Sequence, residues 1–175
     1  LEVGGDLPIV NSLDAAPEAN VLLIGIAPTG GSLPKPMRSL VLAAIARGMD
    51  VESGLHDFLN DDAEFTAAAQ ASGAKLVDLR QNNERDVAQR TGLRESCLRL
   101  HTVGHDCSVG KMVTAIELTR GLSDAGVDAK FIATGQTGIL VEGDGCPVDA
   151  VVADFISGAV EKQILGHQHH GVLVI

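Results

Sequence analysis

Short, unbroken apolar runs alternate with stretches of helical periodicity along the first half of this chain. Residues 21–27 (VLLIGIA) are apolar throughout, which predicts a buried strand. The strand leads into Pro28-Thr29-Gly30-Gly31, a loop where a ligand or another backbone can come close. In residues 37–47, Leu40, Val41, Ala44 and Ile45 recur at helical spacing, with Gly48 as the stop. Residues 49–53 predict a second strand, 61–71 a helix closed by Gly73, and 75–79 a third strand. The alternation β-α-β-α-β is that of a Rossmann-like half built on a parallel sheet. Gly30-Gly31 does not have the G-x-G-x-x-G spacing of a dinucleotide loop.

Residues 81–96 (QNNERDVAQRTGLRES) break this pattern and read as a linker with room for one helical turn. They divide the chain into residues 1–96, a Rossmann-like domain with its linker, and residues 97–175, a second nucleotide-fold domain. Apolar order resumes with a strand at 98–103. A helix begins at Lys111, carries Met112, Val113, Ala115, Ile116 and Leu118, and ends near Gly121 or Gly126. A strand at 129–133 is expected beside the strand at 98–103. A helix at 148–161 and a last strand at 171–175 (GVLVI) complete the series.

The expected fold class is therefore α/β, a Rossmann-like parallel-sheet half followed by a second parallel-sheet half, which Gly110-Lys111 at its strand-to-helix junction makes P-loop NTPase-like. Both ends read as incomplete. There is no initiator Met, and the last strand stops where P-loop folds commonly place an acidic residue for Mg²⁺.

Composition narrows the partners. Aromatic residues are 2% of the chain, with no Trp or Tyr, whereas aliphatic side chains dominate a hydrophobic content of 45%. That suits a buried parallel sheet and offers little for stacking nucleic-acid bases. The formal charge is -10 and no basic stripe occurs, so nucleic acid is not an expected partner. An anionic ligand has to be held locally, against the sign of the whole chain. The 3 cysteines form no C-x-x-C pair, which argues against a disulfide framework or zinc site and for a reducing, cytoplasmic setting. No apolar run approaches the roughly 18 residues of a membrane span, and the start carries Glu2 and Asp6 rather than a basic signal segment. The expected partners are a small molecule and further copies of the chain in a homo-oligomer, with no membrane.

The chemistry concentrates in Gly104-His105-Asp106-Cys107-Ser108-Val109-Gly110-Lys111. A loop between strand and helix turns successive backbone N–H groups toward one point, the helix N-terminus adds partial positive charge, and the lysine reaches the outer phosphates. Gly104, Cys107, Ser108, Val109, Gly110, Lys111 and Met112 are the candidate phosphate-binding residues. The plainer alternative is a glycine turn with a solvated lysine. The match to G-x4-G-K-[ST] is imperfect: the first glycine stands one position early, and Met112 occupies the place of the Mg²⁺-binding hydroxyl. Ser108 or Thr114 are weak substitutes as metal ligands. Asp106 either orients Lys111 or a metal-bound water, or only stabilises the turn. Cys107 reads as loop filling rather than as a nucleophile, because nothing in the sequence supplies its base.

Thr134, Gly135, Gln136, Thr137 and Gly138 follow a strand, and loops at the carboxyl ends of parallel strands line the ligand crevice, so they are candidate substrate contacts. Asp154, in an apolar stretch read as mid-helix, joins them. Asp149, at the start of that helix, reads as favouring its dipole. His56 and Asp57 form a candidate acid–base pair or a helix cap. His167, His169 and His170 read as a polar loop rather than a metal site.

Gly104–Lys111 resembles the G-T-D-x-x-V-G-K loop of dethiobiotin synthetase. It is more similar to the loop of a bacterial and archaeal family first described only as a domain of unknown function, in which a Rossmann-like half precedes a P-loop half. Residues 133–138 (ATGQTG), 147–155 (PVDAVVADF) and 53–59 (SGLHDFL) resemble further signatures of that family. Some of its members are D-amino-acid N-acetyltransferases acting on D-glutamate. The resemblance implies acetyl-CoA as cofactor and transfer of its acetyl group to the amine of a D-amino acid. The rival expectation is an ATP- and Mg²⁺-dependent ligase of the dethiobiotin synthetase type. A non-catalytic nucleotide-binding module is the third.

Overall fold

The computed structural model describes residues 5–26, 28–106 and 108–175. The chain divides into two units, Leu1–Asp78 and Leu79–Ile175, each holding a three-stranded parallel sheet.

In the first unit the elements are β1 (Val21–Ile24), α1 (Lys35–Ala46), β2 (Asp50–Ser53), α2 (Ala63–Ser72) and β3 (Leu76–Asp78). The sheet order is β1-β2-β3, with Leu22 opposite Val51 and Val51 opposite Leu76. β1 is shorter than the apolar run that announces it, and Ala27 lies outside the described residues. Ile24, Val41, Ile45, Val51, Leu55, Leu59, Phe65 and Ala69 form the core. Leu40, expected on the inner face of α1, lies at its margin instead.

Asp62 caps α2 by accepting from Glu64 N (3.0 Å) and Phe65 N (3.1 Å), which satisfies two amides that have no partner inside the helix. It also receives both arms of Arg38, at 2.6 and 2.9 Å. Asp78, buried at the end of β3, accepts from Leu59 N (2.8 Å), Asn60 N (3.0 Å) and Asn60 Nδ2 (2.8 Å), closing the turn between β2 and α2.

The second unit contains β4 (Leu98–Leu100), α3 (Lys111–Asp124), β5 (Ala129–Phe131), α4 (Gln136–Glu142), α5 (Ile156–His167) and β6 (Val172–Val174). Its sheet order is β4-β6-β5, which corrects the expectation that the strand at 129–133 lies beside the one entering the phosphate loop. The reason lies in the side chains. β6 is Val-Leu-Val and buried at every position, as a central parallel strand must be, whereas β4 carries Arg99 and an exposed Leu98 and takes the edge. One face of the sheet packs Ala115, Ile116, Phe131, Ala133, Val172 and Val174, and Cys97, Ile132 and Leu173 form a separate cluster.

Two further expectations are corrected. Residues 148–161 are not one helix: two 3₁₀ turns, Val148–Ala150 and Ala153–Phe155, precede α5. The β-branched pair Val151-Val152 between them is extended, with ψ of 137° and 133°. Residues 134–138, read as a loop, run into a helix: α4 begins at Gln136, with Gly135 at its N-cap.

Residues 80–96 form no helix, with a hydrogen-bonded turn where Cys97 N donates to Arg94 O (3.3 Å), and lie along α5. The Glu161 carboxylate accepts from Gln89 N and Arg90 N, both at 2.6 Å. Gln168 accepts from Arg94 N (2.7 Å) and donates to Gly92 O (3.0 Å), and Lys162 pairs with Glu84 at 2.9 Å. A Cβ at Gly158 would stand 1.9 Å from Asp86 O, so α5 accepts the strap only because that position has no side chain. The polarity that makes this segment look like a linker serves hydrogen bonding to a helix surface.

Two outcomes follow from these contacts. Glu161→Ala removes a charged acceptor from two amides, a loss of about 1–2 kcal/mol where water can partly replace it. Hydrogen exchange at Gln89 and Arg90 should accelerate while the β6 amides keep their protection. Arg38, with help from the capped amides, holds the Asp62 carboxyl at about 2, below its ordinary 3.8. A carboxyl whose folded pKa is depressed stabilises above its unfolded value and loses that contribution as pH falls through the folded one. Asp62→Asn, which keeps a capping oxygen, should therefore be less stable than the parent at pH 7. The gap should close between pH 3.8 and about 2, as read from urea midpoints.

Candidate functional site

β4 ends at Leu100 and its backbone pairing continues past it: Ile175 N donates to Leu100 O (2.8 Å) and Thr102 N to Ile175 O (2.9 Å). The chain then passes to α3, which begins at Lys111. Among the described residues of this loop, Ser108 (φ 54°) and Gly110 (φ 95°) are left-handed, the second being the N-cap of α3. Left-handed residues beside a helix start give the concave run of N–H groups suited to an anion.

Lys111 folds back over its own loop, and its Nζ donates to Asp106 O at 2.5 Å. Gly104 makes that fold possible. A Cβ there would lie 2.8 Å from Val109 Cγ2 and 3.2 Å from both Cγ and Cδ of Lys111. The glycine standing one position early is thus the floor on which the lysine stem rests. Asp106 contributes its carbonyl to this arrangement, and its side chain is exposed. Cys107 lies outside the described residues.

A cleft of about 300 Å³ opens at the carboxyl end of the β4-β6-β5 sheet. Its lining brings together two groups of the residues singled out from sequence: Lys111 and Met112 on one side, Thr134, Gly135, Gln136, Thr137 and Gly138 on the other. The second group is carried by the start of α4. Met112 packs against the cluster of Ala115, Ile116, Phe131 and Val174, so an apolar side chain fills the place of the usual metal-binding hydroxyl. Ser108 borders a shallower hollow with Gly110, Lys111, Met112 and Val113. Val109 is exposed. Thr114 is exposed on α3 and outside the cleft lining. Asp154 is exposed in the second 3₁₀ turn and also outside that lining, whereas Asp149, in the first turn, is part of it.

Three lining residues with polar side chains were not candidates in the sequence: Arg80, His101 and Thr102. Arg80 is buried and ion-paired with Asp149. Asn82 Nδ2 donates to Arg80 O and Ala150 O, both at 3.1 Å, which ties the two segments together. Burial pushes the Arg80 guanidinium below its ordinary value, although such a group stays protonated near neutrality. The only available signal for Arg80 is a lone cation directly after a predicted strand.

His56 and Asp57 belong to the first unit, both exposed. His56 N donates to Gly31 O at 2.9 Å, and Asp57 borders a hollow of about 180 Å³ with Arg38 and Asp62. Among the histidines near the chain end, His167 pairs with Asp144 (2.9 Å) and His170 with Asp128 (2.7 Å). No group of His, Cys, Asp or Glu able to hold a metal occurs among the described residues, and no described helix is long and apolar enough to cross a membrane.

Comparison with known proteins bears on this geometry. Residues 2–82 match the Rossmann-like domain of the DUF1611 family, and residues 85–175 match its P-loop domain; both are domains of unknown function. The D-glutamate N-acetyltransferase of Tritonibacter scottomollicae is 43% identical over 147 residues, covering 82% of this chain and 43% of that protein. The enzyme of the same name from Pseudoalteromonas sp. is 41% identical over 144 residues, again 82% and 43%. A crystal structure of a DUF1611 family protein from Anabaena variabilis superposes with a TM-score of 0.86 at 40% identity, covering 95% of this chain and 50% of that one. The chain thus spans about half the length of these relatives. It belongs to the DUF1611 family, joining that family's Rossmann-like domain to its P-loop domain and related through it to D-glutamate N-acetyltransferases.

Proposed function

We propose that the protein transfers an acetyl group from acetyl-CoA to the amine of a D-amino acid such as D-glutamate. The observation that carries this reading is a left-handed loop at the head of α3 whose lysine is followed by Met112 in place of a hydroxyl. Lys111 rests over Gly104, while Met112 packs against the apolar cluster at the cleft wall. Phosphoryl transfer depends on Mg²⁺ to neutralise charge developing on the phosphates. Acyl transfer needs the phosphates only as a handle.

The donor set fits the diphosphate of CoA: N–H groups of residues 108–110 and the Lys111 ammonium would hold it, and the adjoining cleft would receive the acceptor. When bound, acetyl-CoA supplies an acyl thioester as the electrophile. Thr134, Gln136 and Thr137 offer the hydroxyl and amide groups that orient the acceptor. The ammonium of an amino acid must lose a proton before it can attack a carbonyl carbon. His101 in the cleft lining is the base for that proton. His101→Ala should lower kcat about 10²-fold in the full chain, whereas a loss of that size in His56→Ala alone would give the role to the His56–Asp57 pair.

Titration calorimetry of CoA against the full chain tests the cofactor. Affinity should be unchanged by EDTA, and Lys111→Ala should weaken it by about 1.5–3 kcal/mol, the contribution of hydrogen bonds to charged groups. Gly104→Ala should weaken it less, by displacing the Lys111 stem. Mg²⁺-dependent phosphate release from ATP, with no affinity for CoA, would give the site to the ligase reading instead.

A further inference from the structure

The Arg80–Asp149 pair is asymmetric. The Arg80 side chain is 9% exposed and the Asp149 side chain 47%. Both line the cleft that also holds Lys111 and the start of α4. A buried cation is costly unless an anion compensates it, and removing its partner leaves a large penalty. Here the compensating carboxylate sits on the solvent side and can return to water at little cost. The guanidinium cannot, because Asn82 fastens the Arg80 backbone to the turn that bears Asp149. Lys111, the other cation of the cleft, is committed to the phosphate loop.

Resting on the acyl-transfer reading above, we propose that Arg80 is the specificity-determining residue for the acceptor. It takes the side-chain carboxylate of a dicarboxylic amino acid in place of Asp149. A guanidinium presents paired N–H donors in a planar fork that matches a carboxylate, so the incoming group reproduces the displaced interaction. An acceptor with a neutral side chain either leaves Asp149 in place, narrowing the cleft, or leaves Arg80 without an anion. Asp149 is then a stand-in for substrate, and selectivity for a second carboxylate comes from exchange of one anion for another.

The test uses the full chain with D-glutamate and D-glutamine, which differ only in that carboxylate. Arg80→Gln should raise KM for D-glutamate at least tenfold and leave KM for D-glutamine within about twofold, with kcat little changed. Arg80→Lys should fall between, since it keeps charge without the fork. Asp149→Asn removes the competing carboxylate and should lower KM for D-glutamate. Equal losses for both acceptors in a folded Arg80→Gln protein would overturn the proposal. So would a raised KM for D-glutamate in a folded Asp149→Asn protein, which serves as the deciding variant if Arg80→Gln does not fold. Calorimetry with glutarate, a dicarboxylate without an amine, separates this proposal from the acyl-transfer reading. Glutarate binding that disappears in Arg80→Gln supports the Arg80 assignment even if no amine is acetylated, and binding unchanged by the substitution refutes it.

Discussion

The pairing of β6 with both of its neighbours is the constraint on which the second unit depends. Val172, Leu173 and Val174 are buried at every position and bond in parallel to β4 on one side and β5 on the other. Remove that strand and β4 and β5 have no contact through which the loop after Leu100 and the segment after Phe131 could meet. With it in place, two chain segments distant in sequence end on the same edge of the sheet, one bringing Lys111 and the other Thr134 to Gly138. Lys111 and the 134–138 segment hang from this apolar ladder, while Arg80 and Asp149 reach the cleft from the strap and a 3₁₀ turn. The division of labour is usual for parallel sheets, whose strands give rigidity and whose carboxyl-end loops give chemistry.

Much of this was readable from the chain. Strands announced themselves where apolar residues ran without interruption, as at residues 21–24 and 172–174; β6 is covered on both faces, whereas β1, expected to be buried, takes the edge of its sheet and exposes Val21 and Leu23. The phosphate loop was readable because glycines and a lysine at a strand-to-helix junction answer a local geometric demand. Sheet order was harder, since it depends on which strands tolerate an exposed edge. Arg99 in β4 and Lys130 in β5 carried that information, and each places a charge inside a strand that borders β6. α4 was hidden because Gly135 and Gly138 suggest a loop, although one is an N-cap and the other packs near Phe131. Arg80 could not be found by any local rule. Its role arises from Asp149, far along the chain, and only folding brings the two together.

The first unit shows the same economy on a smaller scale. Asp62 and Asp78 each stand where backbone N–H groups would otherwise be left over, one at the start of α2 and one beneath the 3₁₀ turn Leu59–Asp61. In both cases one carboxylate satisfies several donors. These are structural carboxylates, and they show that a negatively charged chain need not spend all of its acidic residues on its surface.

The strap of residues 80–96 bears on how the family's two domains can be separated. Its composition invites a cut near residue 96, where the polar stretch gives way to β4. Such a cut would strip α5 of the backbone that fills the groove at Gly158 and of the amides held by Glu161 and Gln168. It would also remove Arg80 from the cleft and leave Asp149 facing solvent without its cation. A transplanted P-loop domain keeps the whole lining of its cleft only if the donor fragment reaches back to Leu79. A boundary that leaves the cleft intact therefore falls at the end of β3, ahead of Arg80.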